Sequence, residues 1–469
     1  MAQPTPPPPS PPPAPVRYPS PIALYTGPFG RAQAERLLWR AGFGPSPGWP
    51  EALAAMGVDA AVESLVSPQG PELFTGAEPR TSPTGAALEP EDLFGHDHLY
   101  WLDRMVRTNQ PFVQRMALIW HDWFATSNNE VENQRLMLDQ YELFVRAGRG
   151  SFEQLVREVT MDPAMCVFLN TTENRRGAIN ENYGRELMEL FTLGADRGAY
   201  TETEVRELAR SLSGWTRSYT DGIGYHSFRF DPNRWDTGNK TVFGQTGHFN
   251  WEDAYRMCVH HPLHASFFVA KLWSYFVAVP LPADEAARLA TFYVQSGRQV
   301  LPVVRAILRH PLLYEGPRMI KPPVVFNAGL LRAVRRAIDT TEWVNLSDIS
   351  GQRLFYPPDV SGWNDTRWLD TSTIRGRWQM VSRVLSDRYV AGASQSTYDR
   401  TEAPETALQK ATDFWAGPSL TAESRASLLG FAQTCFTEPS SQTQKSQYRA
   451  YRQNALMQLI GVSPDLQTG

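Results

Sequence analysis

Cysteine is scarce in this chain. Its three cysteines, Cys166, Cys258 and Cys435, lie far apart and match no CxxC spacing, so a zinc ribbon, a dithiol redox pair and a disulfide framework are all excluded. Cys166 stands inside the apolar run 165–169 and reads as a small core residue rather than a nucleophile. Long apolar runs are missing too. The longest, residues 267–282, falls short of the roughly 20 residues a bilayer requires and is interrupted by Lys271, so it reads as a buried helix and no membrane span is expected. Positive charge is not in surplus: 20% of residues are charged and the net charge is -4 at pH 7. No excess of cations exists to neutralise a phosphate backbone, which argues against a nucleic-acid partner.

The signatures of the common cofactors and nucleophiles are also absent. No phosphate-cradling glycine loop, GxSxG elbow or HExxH helix occurs, and no cofactor is expected. His96 with His98, and His261 with His264, each offer two nitrogens but no nearby third ligand. They read as polar helix edges or caps, and no metal is expected.

Proline, tryptophan and helical periodicity are what the chain does have. Nine prolines fall within residues 4–15, a stretch that reads as an extended, disordered polyproline-like spacer covering residues 1–28. The residues after Met1 resemble a processed N terminus, and an exported location, periplasmic or extracellular, is expected. From residue 29 to residue 469 one mostly α, multi-helical domain is expected. Apolar residues recur at three- and four-residue spacing over 32–39, 99–106, 113–124 and 136–145. Ser151 with Gln154 and Thr201 with Glu204 read as capping boxes. Between Tyr225 and Phe243 aromatic and polar residues alternate around Pro232-Asn233, which predicts a short β-hairpin insert. The 14 tryptophans fit either a large aromatic core or stacking platforms for a ring-shaped ligand.

Two segments carry candidate chemistry. Residues 180–194 predict one helix closing at Gly194, on which Glu181, Arg185 and Glu189 form an i, i+4 ladder with Asn182 and Glu186 beside it. Lining a cleft, this face would keep one carboxylate ionised and raise another, as an acid and base pair requires; facing water, it is an ordinary salt-bridged helix. Residues 357–368 are rich in proline, glycine and aromatics and predict a shaped loop. There Trp363 and Trp368 either stack on a sugar, with Asp359, Asn364 and Asp365 reading hydroxyls, or plug the bundle.

The segments RLLWRAGFGPSP, WHDWFATS, DPAMCVFLN, NENYGRELMELFTLG, YTETEVRELARSLSGW, TGNKTVFG, HPLHASFFVAKL, GQRLFYPPDVSGWND and WLDTSTIRGRW resemble the bacterial domain-of-unknown-function 1800 family over residues 30–390, leaving 391–469 as a helical extension. The resemblance implies an exported helical body. It directs attention to Glu181, Arg185, Glu186, Glu189, Asp236, Lys240, Gly362, Trp363 and Arg377, which sit in the family's motif positions. Trp123 and Trp235 stand where the family commonly has histidine, leaving His121, Asp236 and Lys240 as the polar groups of those motifs.

Paired carboxylates, aromatic walls and no cofactor motif fit hydrolysis of a glycosidic bond. In that scheme Glu186 or Glu189 is the acid and Asp236 or Glu181 the base, with His121 orienting a partner. Arg185, Lys240, Arg377, Trp215, Trp363 and Trp368 bind a polysaccharide or another small polar substrate. The alternatives are a non-enzymatic exported binding or assembly protein, and a metal-assisted enzyme built on His121 and the glutamates.

Overall fold

The computed structural model describes residues 6–11, 19–437 and 441–469. Residues 1–5 and 12–18 of the spacer lie outside the described residues. The architecture is mostly α, with two small two-stranded antiparallel sheets among the described residues.

The four periodic stretches fall on helices Arg31–Ala41, His96–Arg107, Pro111–Trp123 and Gln134–Ala147, only Phe124 lying just past the end of the third. Pro111 opens its helix at a position where the missing N–H has no partner to lose. Every residue from Pro111 to His121 is buried, so this helix is the central strut, packed against Val58–Val66, His96–Arg107 and Gln134–Ala147. Its C-terminal end carries His121 and Asp122. One contiguous set of buried apolar residues runs from Ile22 to Leu466.

Local signals act as the sequence implies, with some differences. Thr201 and Glu204 form a reciprocal capping box. Ser151 caps Gln154 N, but the Gln154 side chain turns to Glu158 at 2.9 Å, so that box is only half made. The hairpin lies earlier than the aromatic alternation suggested. Trp215–Thr220 pairs with Gly224–Phe230, and the chain reverses over 221–223, where Gly222 supplies a φ of 79°. Lys240–Val242 with Gln245–Gly247 makes a second hairpin, and Pro232-Asn233 merely links the two.

Residues 20–25 fasten the chain to the body. Ala23 N donates to Glu285 Oε1 at 2.9 Å and Tyr25 N to the Arg309 carbonyl at 2.7 Å. Upstream, Pro6 is buried and its carbonyl accepts the Trp49 indole N–H at 2.9 Å. Proline lacks a backbone donor but keeps its acceptor, and that acceptor serves an indole with no exposure of its own.

Candidate functional site

The carboxylate segment is one continuous helix with a change of pitch. Asn182–Glu186 is α-helical and Leu187–Thr192 is a π-turn, in which Leu193 N reaches back five residues to the Met188 carbonyl at 2.9 Å. Such widened turns are rare and re-aim the side chains around them. Arg185 does not primarily serve the ladder. Its guanidinium forks onto Glu202 at 2.8 and 2.6 Å, with Glu181 at 3.7 Å. Glu186 has no ion-pair partner among the described residues, and burial, then neighbouring Glu189, push its carboxyl up to about 7 against the pull of Arg185.

That shift fixes a pH dependence. Below the ordinary value of 4.5 Glu186 is protonated whether folded or not. As pH rises from there towards 7 the unfolded chain ionises first, so stability falls, and above 7 the loss is complete. Glu186→Gln is therefore expected to match the wild type at pH 4 and to be more stable at pH 8 by on the order of 1–2 kcal/mol, after discounting for partial exposure. Urea denaturation at both pH values measures this; a variant less stable at pH 8 would show that Glu186 has a cationic partner.

Asp236 is held elsewhere. Arg210 grips it in a bidentate pair at 2.9 and 3.0 Å while bonding Glu207, and this pairing, before all else, holds the Asp236 carboxyl below its usual range. Lys240 is fully buried. Its ammonium bonds the backbone carbonyls of Asp236 and Phe249 over the Trp235 ring, and burial draws it down to about 8. Glu202 and Arg210, the anchors of Arg185 and Asp236, lie eight residues apart on the Glu202–Ser211 helix, roughly 12 Å along its axis at 1.5 Å per residue. Arg185, beside the expected acid Glu186, and the expected base Asp236 are thus tied to opposite ends of one helix.

Three other expected site residues are built into the body. Trp215 is buried against Phe230 and Trp251. Arg377 has no exposure. It donates to the carbonyls of Trp368 and Lys321 and to Gln467, so it braces the floor of the aromatic loop. His121 is buried among Trp101, Phe355 and Trp363. Its Nε2 accepts Phe355 N–H at 3.0 Å, and burial drives its pKa down to about 3, which leaves a neutral ring that positions the loop.

The histidine pairs act as acceptors and braces. His96 Nδ1 accepts Glu89 N–H and His98 Nδ1 accepts Leu354 N–H. His261 Nδ1 accepts Leu263 N–H, while His264 lies between the Thr192 carbonyl and the Tyr293 hydroxyl. Among the described residues no group of three or more His, Cys, Asp or Glu side chains is placed to hold a metal ion.

The aromatic loop closes over a cavity. Asp122, next to His121, accepts Trp363 N–H at 2.9 Å on one carboxylate oxygen and the Tyr275 hydroxyl at 2.7 Å on the other. His121 and Asp122 together pin the loop at Phe355 and at Trp363. Beneath it lies a cavity of about 260 Å³ whose walls include Trp39, Arg115, Asp122, Lys271, Trp363 and Trp368. Asp365 and Trp368 also line an adjoining, more open groove of about 590 Å³, faced by Val277, Val279 and Leu281. Burial raises the Asp122 carboxyl against the pull of the Tyr275 and Trp363 hydrogen bonds and the charge of Lys271, with Asp365 adding a smaller upward push, whereas Asp365 itself is exposed in the loop. The carboxylate helix backs onto this cavity instead of facing it. Lys271 Nζ donates to the Leu190 carbonyl at 3.0 Å and Trp123 Nε1 to the Phe191 carbonyl at 3.1 Å.

The comparisons with known proteins come down to one match. The family described as "protein of unknown function (DUF1800)" matches residues 36–468, which includes residues 391–468 of the tail that the motifs leave outside. No curated protein and no solved structure matches the chain. With nearly its whole length accounted for, the chain belongs to the DUF1800 family.

Proposed function

We propose that this protein binds a saccharide in the cavity under the Trp363–Trp368 loop and hydrolyses a glycosidic bond at its mouth. The observation that carries the reading is the pairing of Asp122 and Asp365 in a cavity walled by two tryptophans. One carboxyl is raised by burial and the other is exposed, the division that acid and base require. Asp122 protonates the leaving oxygen as the bond from the anomeric carbon breaks. Water attacks that carbon and passes its proton to Asp365. Trp363 and Trp368 offer ring faces to the sugar, and the groove beyond Asp365 accommodates further units of a polymer. The acid and base roles thus move from Glu186 or Glu189 and Asp236 or Glu181 to aspartates on the central helix and in the loop. An exported location belongs to the same proposal and is supported by the proline-rich segment ahead of the body.

Binding without turnover is the second reading, favoured by the two hydrogen bonds that already occupy both Asp122 oxygens. A panel of soluble polysaccharides with a reducing-end assay separates the two. Asp365→Asn is expected to lower turnover at least a hundredfold and leave binding within threefold, while Trp368→Ala weakens both. Turnover undiminished in Asp365→Asn defeats the hydrolytic scheme. Binding in the wild type with no turnover across the panel leaves the binding role.

A further inference from the structure

The same cavity holds a surplus of positive charge, three of its four cations buried and the fourth, Lys271, half-buried. Arg40, Arg115, Lys271 and Lys321 all line it, against the carboxylates of Asp122 and Asp365. They come from four different helices or their approaches, so the grouping is a product of the fold. None of the four makes an ion pair within 4.0 Å among the described residues. Lys271 and Lys321 satisfy their ammonium groups with the backbone carbonyls of Leu190 and Leu466 and the faces of Trp123 and Trp39. Arg40 reaches an oxygen of Gly469 at 2.6 Å. Arg115 does less still: it is 4% exposed, forms no hydrogen bond among the described residues, and its Nε is buried without a partner.

A guanidinium desolvated without a partner costs several kcal/mol, and breaking up buried charge pairs is costly for the same reason. Burial draws Arg115 down to about 10, with Tyr275 and Asp122 opposing the fall, and draws Arg40 down to about 9, with Arg36 and Arg115 adding to it. A cation left in this condition at the wall of a cavity points to a ligand that completes it. The planar fork of arginine matches the two oxygens of a carboxylate or a sulfate.

We propose that Arg115, flanked by Lys271 and Arg40, forms an anion subsite that selects saccharide units bearing a carboxylate or sulfate group. The ring lies against Trp363 and Trp368, and the anionic substituent points inward to Arg115. The charge of Asp122 favours the Arg115 cation from a distance, but no hydrogen bond or ion pair within 4.0 Å joins the two among the described residues, and the Asp122 oxygens accept from Tyr275 and Trp363. The inference rests on this cavity being the ligand site but not on turnover there.

Calorimetric titration tests it with four probes: a uronic-acid disaccharide, a sulfated disaccharide, their neutral counterpart and inorganic sulfate. One or both anionic disaccharides are expected to bind at least tenfold more tightly than the neutral one, and which of them does so identifies the substituent. Arg115→Gln is expected to remove that preference while changing neutral-sugar affinity less than threefold, and Arg115→Lys to keep part of it. Melting temperature guards against misfolding. Relief of an unpaired buried charge leaves Arg115→Gln as stable as the wild type or more so, whereas a structural arginine would lose stability on replacement. Asp365→Asn keeps the preference intact, so loss of turnover and loss of anion selection remain separate results. Equal affinity for neutral and anionic sugars, binding of inorganic sulfate alone, or a preference unmoved in Arg115→Gln would overturn the proposal.

Discussion

Replacing Gly362 by alanine is expected to weaken ligand binding in the cavity at least tenfold while leaving the helical body folded. Gly362 has a φ of 90°, in the region that favours glycine. A Cβ built there lies 2.4 Å from Asp122 Oδ1 and 2.8 Å from the Asp122 carbonyl. Neither atom can withdraw easily, because Asp122 is fixed by Tyr275 on one side and by its place in the central helix on the other. The loop must therefore lift, which breaks the 2.9 Å bond from Trp363 N–H to Asp122 and carries Trp363 and Asp365 away from the cavity. The local cost is about 2–4 kcal/mol from backbone strain and the lost hydrogen bond. It falls on a loop outside the core cluster's helices, so far-ultraviolet dichroism should be unchanged. Ligand affinity is expected to drop at least tenfold, and turnover with it. Gly362→Ala binding as tightly as the wild type would mean that the loop tolerates displacement and that the cavity does not depend on its closure.

The fold was legible because its signals are local. Three- and four-residue apolar spacing, the Thr201 cap and the paired aromatics of the insert each act within a dozen residues, and all correspond to elements observed here. The hairpin turn was misplaced because Asp221-Gly222-Ile223 is a weaker textual signal than Pro232-Asn233, although Gly222 supplies the positive φ that a tight reversal requires.

The site was legible only in part, for a physical reason. Trp363, Trp368 and Asp365 stood out because a loop rich in glycine and proline announces a fixed shape, and all three line the cavity. The i, i+4 ladder is present but is not what chiefly holds Arg185: its guanidinium forks onto Glu202, 17 residues away, at 2.8 and 2.6 Å, and meets Glu181 at 3.7 Å. Arg40, Arg115, Lys271 and Lys321 are spread over 281 positions and nothing local links them. Two signals were nevertheless present. Lys271 is the lone charge in the longest apolar run, and a lysine half-buried there needs a reason. Asp122 stands in the last turn of a helix, where the macrodipole disfavours a carboxylate, so it is held there by something other than helix preference. The bonds from Tyr275 and Trp363 supply that reason.

The largest loss of stability is expected from the C-terminal region, where Glu402 and Arg452 form an ion pair with both side chains at 0% exposure. Glu402 accepts from Arg452 at 2.9 Å, from Lys410 at 2.6 Å and from the Tyr398 hydroxyl at 3.1 Å. Arg452 also reaches the Glu402 carbonyl. Removing the carboxylate by Glu402→Ala strands a guanidinium in the interior and leaves the tyrosine hydroxyl without its acceptor. Breaking such a pair from one side costs about 3–5 kcal/mol. Desolvation makes the intact pair far less valuable than that cost implies, so replacing both members, as in Glu402→Leu with Arg452→Met, should recover most of the loss. Urea denaturation of the wild type, the single variants and the double variant closes the cycle. The Pro404–Phe414 and Gln442–Gly461 helices pack on each other, and the latter packs on Thr371–Leu385, the helix that carries Arg377 beneath the aromatic loop. Ligand affinity is therefore expected to fall in Glu402→Ala as that support loosens and to return in the double variant. A single variant that loses less than about 1 kcal/mol would show that water reaches Arg452 and that the tail is looser than its packing implies.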